Sequence, residues 1–149
     1  MNAVFRVAVF LCLGMACLPM APAALSAAGA ESETSFAFSA EKEVDGSRVR
    51  VDLRFPGHAA VGESVPLHVN LAFERQMSGV FPSVSVTRRT VPDGASAPEV
   101  LPGVPVTDIR FSAPGHYDLE AEIGLVFKNS CGGARLVPLA AVPLAVDVF

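Results

Sequence analysis

Residues 36–55, FAFSAEKEVDGSRVRVDLRF, decide the fold of this chain. Apolar and polar side chains alternate with a period of two on both sides of Asp45-Gly46, as they do in strands that bury one face. Asp-Gly between two such runs is typical of a two-residue type I′ turn, in which both central residues take positive φ. The stretch therefore predicts a β-hairpin in which Val44 and Ser47 flank the turn.

The turn also predicts the register of the two strands. With Val44 opposite Ser47, the apolar residues meet on one face as the pairs Phe36 with Phe55, Phe38 with Leu53, and Ala40 with Val51. The other face gains two pairs of opposite charge, Glu41 with Arg50 and Glu43 with Arg48. A slip of one residue would destroy both patterns, because it would move every side chain to the opposite face.

Five further runs with a period of two follow the hairpin. They span residues 65–73, 80–88, 104–111, 117–125 and 136–148. Pro138 and Pro143 interrupt the last run, and because proline cannot donate to a strand ladder, we expect this strand at a sheet edge or beside a bulge. The chain is therefore predicted to be an all-β, antiparallel β-sandwich of about seven strands.

One corner of the predicted sandwich resembles a known family. The run Phe111-Ser112-Ala113-Pro114-Gly115-His116-Tyr117, followed by an alternating strand, is similar to the corner before strand F of immunoglobulin-like and fibronectin-like domains. In those domains a tyrosine near the start of strand F hydrogen-bonds back across the corner. The resemblance implies an immunoglobulin-like β-sandwich in which Tyr117 is buried and its hydroxyl is bonded to upstream backbone. It implies no particular function.

The first thirty residues have the pattern of a secretory signal peptide. Arg6 precedes a nearly unbroken apolar run over residues 7–20, and small residues follow. Ala28-Gly29-Ala30 meets the small-x-small rule, so we expect cleavage before Glu31, with Ala21-Pro22-Ala23 as an earlier alternative. The apolar run is shorter than the ~20 residues of a membrane-spanning helix.

The predicted organisation is thus a signal peptide at residues 1–30 and a single β-sandwich domain at residues 31–149. The mature protein is expected in the periplasm or outside the cell, and not as an integral membrane protein. A lipoprotein anchored through Cys17 is the alternative, although Gly14 stands where a lipidation signal would have leucine.

Composition excludes several functions. Residues 1–30 hold one positive side chain and no acid, so the net charge of −4 becomes −5 for residues 31–149, and no nucleic-acid partner is expected. The sequence has no motif of a catalytic nucleophile, a phosphate loop or a zinc site, so we expect no catalytic residues, no cofactor and no metal. Cys131 is the only cysteine after residue 30, so no disulfide can form within the mature chain.

The candidate binding residues lie in loops that the predicted topology brings together. If successive strands are antiparallel, residues 56–63, 91–103 and 128–134 share one end of the sandwich, and long loops on a rigid scaffold are where recognition usually lies. The candidate binding residues of this end are His58, Asp93, Glu99 and Cys131. The same count places His58 and His116 at opposite ends, which argues against a metal site made of histidines.

These features predict an exported bacterial protein that binds an unknown protein or envelope component without catalysis. Two alternatives stay open. The first is a structural or assembly subunit that uses strand edges or Cys131, and the second is a carrier of a small ligand or metal with Cys131 and His58 at one end. Two glycines after Cys131 predict an accessible thiol at a hairpin tip, the alternative being a buried thiol.

Overall fold

The fold was described from a computed structural model, which covers residues 35–128 and 132–149. The strands there are β1 (Ser35–Val44), β2 (Ser47–Pro56), β3 (His58–Ala59), β4 (Ser64–Phe73), β5 (Val80–Thr90), β6 (Glu99–Leu101), β7 (Val106–Arg110), β8 (Gly115–Lys128) and β9 (Ala134–Val148). A five-stranded sheet A has the order β1-β2-β4-β7-β6, and a four-stranded sheet B has the order β3-β9-β8-β5. Only the β3–β9 pair is parallel. The predicted all-β class with two mostly antiparallel sheets is confirmed.

The β1–β2 hairpin has the predicted register. Val44 lies opposite Ser47, and each of the predicted apolar and charged pairs occurs. Asp45 has φ of 48° and Gly46 has φ of 76°. Both central residues are therefore in the left-handed region, as a type I′ turn requires.

The core consists of facing rows of apolar side chains from the two sheets. Sheet A contributes inward residues of β2, β4 and β7, and sheet B contributes those of β8 and β9. The large ones include Leu53, Phe55, Leu67, Ile109, Tyr117, Leu119, Ile123 and Leu144. Burial of a side chain of this size contributes about 1.5–3 kcal/mol. A strand that slipped by one residue would lose this contribution along its whole length, so the core stabilises the register.

The corner before β8 has the predicted geometry. Tyr117 is fully buried, and its hydroxyl donates to the carbonyl of Ala113 at 2.9 Å. The ring lies against Phe111, with centroids 4.8 Å apart. Gly115 has φ of 132°, and a Cβ there would lie 2.5 Å from Cγ of Pro92. A glycine is thus required where the corner meets the segment that follows β5.

The bulge predicted for the last strand occurs in β9. Its register with β8 passes from Ala140 to Pro138, so Leu139 is the extra residue of a bulge. Only the last two paired residues of β9 contact β3, and the remainder has β8 as its single hydrogen-bonded neighbour among the described strands. The carbonyl of Pro138 accepts a hydrogen bond from Nζ of Lys42 on β1 at 2.7 Å.

The strand count differs from the prediction because of β3 and β6. These strands have two and three residues, and both lie in segments that the sequence assigns to loops. The predicted strand at 104–111 is also shorter, since β7 spans Val106–Arg110. Because β6 pairs antiparallel with β7, it adds one chain reversal, and every later loop moves to the end opposite to the predicted one.

Several predictions fall outside the described residues, namely the signal peptide, its cleavage sites, Cys17 and Cys131. In the part of the chain that the structure describes, no helix has the length and apolarity needed to cross a membrane.

Replacing Gly46 with Val should lower the free energy of unfolding by ~1 kcal/mol or more, because a β-branched residue resists positive φ. No atom lies within 4 Å of the Cβ position, so the cost is conformational and not steric. Gly46→Asn is the matched control, since asparagine tolerates the left-handed region. Urea denaturation followed by circular dichroism measures the difference, and equal stability of the two variants would contradict the turn assignment.

Replacing Tyr117 with Phe should cost about 0.5–1.5 kcal/mol, because the carbonyl of the half-buried Ala113 loses its donor. Ser85→Ala, on the exposed face of β5, is the control and should change stability by less than about 0.5 kcal/mol. If the two variants unfold at the same urea concentration, the corner hydrogen bond does not stabilise the fold.

Candidate functional site

Of the four predicted binding residues, His58, Asp93 and Glu99 lie in the described part of the chain, and Cys131 lies outside it. His58 begins β3, and Asp93 lies between β5 and β6, at the end of the sandwich where β2 and β7 finish; we call this the corner end. Glu99 is the first residue of β6, so it lies in an edge strand opposite Arg110 and not in a loop.

Lys128 and Arg135, on either side of residues 129–131, lie at the other end of the sandwich. Lys128 donates its backbone N–H to Gly79 at 3.0 Å, and Arg135 pairs with Asp45 at 2.6 Å. The strand ends on both sides of residues 129–131 therefore lie beside the β1–β2 turn, far along the strands from His58. Lys128 and Ala134 therefore do not share the end of His58, in contrast to the predicted grouping, because β6 adds a chain reversal that the prediction lacks.

His58 and His116 share the corner end, contrary to prediction. Both are register partners of Asp147 on β9, one from β3 and one from β8. Nδ1 of His116 lies 2.8 Å from Oδ1 of Asp147, and Nε2 lies 3.2 Å from Oδ1 of Asp118. The hydrogen bond to Asp147, aided by Asp118, raises the pKa of His116 above its usual 6.5.

The cluster of His116, Asp118 and Asp147 lies where β3, β8 and β9 meet. The backbone N–H of Asp147 also donates to the carbonyl of Gly57, just before β3. The His116–Asp147 contact therefore connects β8 to β9, the strand that pairs with β3. Among residues 35–128 and 132–149, no group of three or more His, Cys, Asp or Glu side chains has an arrangement that could hold a metal ion.

The raised pKa makes the contribution of His116 to stability dependent on pH. The protonated ring stabilises the fold fully below about pH 6.5, and this contribution is lost as the pH rises through the raised folded-state pKa. The stability difference between wild type and His116→Gln should therefore shrink from about pH 5 to about pH 9. His68→Gln is the control, and urea titrations at both pH values measure the effect. A difference independent of pH would contradict the ion-pair assignment.

An open groove crosses the outer face of sheet A. It consists of two adjoining cavities of about 640 Å³ and about 290 Å³, and Arg54 and His68 line both. The remaining polar lining of the larger cavity is Ser39, Arg50, Asp52 and Asn70. His58 and Glu63 line the smaller cavity, so the groove reaches the corner end.

The depth of the groove follows from the residue types on this face. Ala37, Pro56 and Pro66 have short side chains and line its floor beside longer neighbours. Pro105, between β6 and β7, lines the larger cavity, and its carbonyl accepts the backbone N–H of Val69 at 2.8 Å. That bond places the β6–β7 connection beside the middle of β4.

Arg54 and His68 form the centre of the groove. They are directly opposite each other in the antiparallel β2–β4 pair, and both are exposed. Neither side chain has a hydrogen-bond or salt-bridge partner among the described residues. The two side chains are therefore available to a ligand.

Asp52 carries a persistent negative charge next to this centre. Its Oδ1 accepts hydrogen bonds from Ser39 at 2.7 Å and from Nε of Arg50 at 3.0 Å. The bond from Ser39, together with Arg50, lowers the pKa of Asp52 below its usual value. Arg50 thus forms a salt bridge with Asp52, whereas Arg54 acts on Asp52 through its charge, without a hydrogen bond or salt bridge between the two side chains.

Comparison with known proteins gives no relative: no family model matches the chain, and neither a curated protein nor a solved structure is significantly similar to it. The site is therefore interpreted from its own geometry.

The groove residues Arg54, His68 and Asp52 are not among the binding residues predicted from the sequence. A signal for two of them was present, since the hairpin register places Asp52 and Arg54 on the outer face. Alternation also places His68 outward on the next long strand. The missing information was that β4 pairs directly with β2, which no local pattern specifies.

Proposed function

We propose that this protein is an exported, non-catalytic binding module of the bacterial envelope, and that the groove on the outer face of sheet A holds its ligand. One observation carries this proposal: Arg54 and His68 meet in a concave surface without partners among the residues described. On the same face, Arg48 and Arg50 are both paired with acids. Convergent polar groups in a concavity are what a binding site requires.

The scaffold suits binding. Arg54 and His68 project from adjacent, hydrogen-bonded strands whose opposite faces form the core. Their backbones are therefore already ordered in the unbound protein, which reduces the conformational-entropy cost of binding. The non-catalytic assignment rests on the absence of a nucleophile–base motif in the sequence.

Export to the periplasm or beyond the cell is the second part of the proposal. Its support is the signal-peptide pattern of residues 1–30, with one positive side chain before an apolar run and small residues after it.

An immunoglobulin-like fold type is the third part of the proposal. In support, the order β2-β4-β7-β6 in sheet A and β9-β8-β5 in sheet B is similar to the ABED and GFC sheets of immunoglobulin domains. The buried Tyr117 lies near the start of β8, the strand that corresponds to F, where such domains carry their corner tyrosine. On this reading β1 is an additional strand before A.

Site-specific photo-crosslinking tests the groove as the binding surface. A photoreactive amino acid at Asn70, inside the groove, should give crosslinked adducts in the producing cells. The same amino acid at Thr87, on the exposed face of β5, is the control and should give none. Ala37→Trp fills the groove and should abolish the Asn70 adducts. Equal adducts at both positions, or adducts that survive Ala37→Trp, would overturn the groove assignment.

Assembly through strand edges is a second candidate function. Each sheet has one long edge strand. In sheet A it is β1, with ten residues, and in sheet B it is β5, with eleven residues. Long edges with unpaired backbone groups can pair with another chain. Sizing chromatography over a wide concentration range tests this function, and a strict monomer would argue against it.

A further inference from the structure

We infer that the groove binds an anionic sugar or similar polyol, with its carboxylate or phosphate held between Arg54 and His68 and its hydroxyl groups directed to Asp52. This inference rests on the proposed function and names the ligand class of the same site.

The first step is the geometry of the two basic side chains. Residues directly opposite each other in an antiparallel pair have Cβ atoms about 4.5–5.5 Å apart. A guanidinium group presents its donors as a fork that matches carboxylate and phosphate oxygens, and an imidazole N–H adds a further donor. Arg54 and His68 can therefore contact one anionic group at the same time.

The second step is the charge of the surroundings. Arg50 is neutralised by Asp52, whereas Arg54 has no such partner within the described chain. The nearest fixed negative charge on β2 is Asp52, two residues away and so about 7 Å along the strand. An anion is therefore attracted to Arg54 rather than to the Arg50–Asp52 pair, whose opposite charges offset each other, and this difference orients the ligand in the groove.

The third step is the hydrogen-bonding capacity of Asp52. Ser39 and Arg50 both donate to Oδ1, and no described residue donates to Oδ2. An ionised carboxylate only accepts hydrogen bonds, so the part of the ligand that faces Oδ2 must carry donors. Asn70 lies opposite Asp52 and adds a side-chain amide. Hydroxyl groups one sugar ring away from the anion satisfy these positions.

The smaller cavity sets a limit at the other end of the groove. Glu63 lines it together with His58, so a second negative group there would meet an acidic side chain. The site is thus suited to a ligand with one anionic group near its centre and not to a polyanion.

Nuclear magnetic resonance titration of the purified protein tests the inference through the His68 ring signals. The probes are inorganic phosphate, glucose 6-phosphate, glucuronate and glucose. We expect saturable shifts of His68 with the first three probes and none with glucose. Of glucose 6-phosphate and glucuronate, the one that binds more tightly identifies whether phosphate or carboxylate is preferred.

Three variants and one control separate the contributions of Arg54 and Asp52 to binding. Arg54→Gln should weaken binding of every anion at least tenfold, and Arg54→Lys, which keeps the charge but loses the fork, should lie between it and wild type. Arg88→Gln is the matched control, because Arg88 also lacks a partner among the described residues but lines neither cavity. Asp52→Asn should weaken the binding of glucose 6-phosphate and glucuronate more than the binding of inorganic phosphate. Thermal unfolding verifies that each variant is folded.

The inference is overturned if the anions shift His68 no more than glucose does, or if Arg54→Gln binds them as wild type does. If Arg54→Gln and Arg88→Gln weaken anion binding equally, the effect is one of overall charge, and the inference is overturned as well. Asn70 crosslinks without anion binding would leave the groove as the binding surface and reject its anionic ligand. Anion binding at His68 without Asn70 crosslinks would support the ligand class and reject the envelope partner.

Discussion

Two positive φ angles, at Asp45 and Gly46, constrain the register of the first hairpin, and both the core and the groove depend on that register. A turn of this geometry leaves Val44 opposite Ser47 and so determines every later pair. Because side chains alternate between faces, the pairing that buries Leu53 and Phe55 also directs Asp52 and Arg54 outward. The groove residues are thus placed by the burial of their neighbours.

The groove needs a second constraint, which is the position of β4. Its inward residues are as deeply buried as those of β2, and their packing brings His68 opposite Arg54. The short side chains of Ala37, Pro56 and Pro66 leave the surface open around this pair. Arg54 and His68 are therefore held rigidly by strands whose other face is core, while their own side chains have no partner in the described part of the chain.

Local patterns were sufficient to predict the hairpin, the corner at Tyr117 and the irregular last strand, because each depends on residues close in sequence. β3 and β6 could not be predicted in this way, since two or three residues do not establish a period of two. Missing β6 had a larger consequence than its length suggests, because one uncounted reversal exchanges the ends of all later loops. That error separated His58 from His116 and joined it to the segment of Cys131.

The groove could not be predicted from local sequence patterns for a different reason. The outward direction of Arg54 and of His68 is visible in each strand alone, but their proximity depends on which strands are neighbours in the sheet. That pairing is decided by the packing of the whole core. The corner tyrosine indicates an arrangement of strands, yet it does not reveal which outward side chains lack partners.

The most direct test of this account is a set of cross-strand nuclear Overhauser effects measured for the protein in solution. The account predicts contacts of Arg54 with Ala37 on one side and with His68 on the other, in agreement with the register of β1, β2 and β4. Contacts of Arg54 with Leu67 or Val69 as its direct partners would place it on the core side of a shifted pair. That result would contradict both the hairpin constraint and the groove built on it.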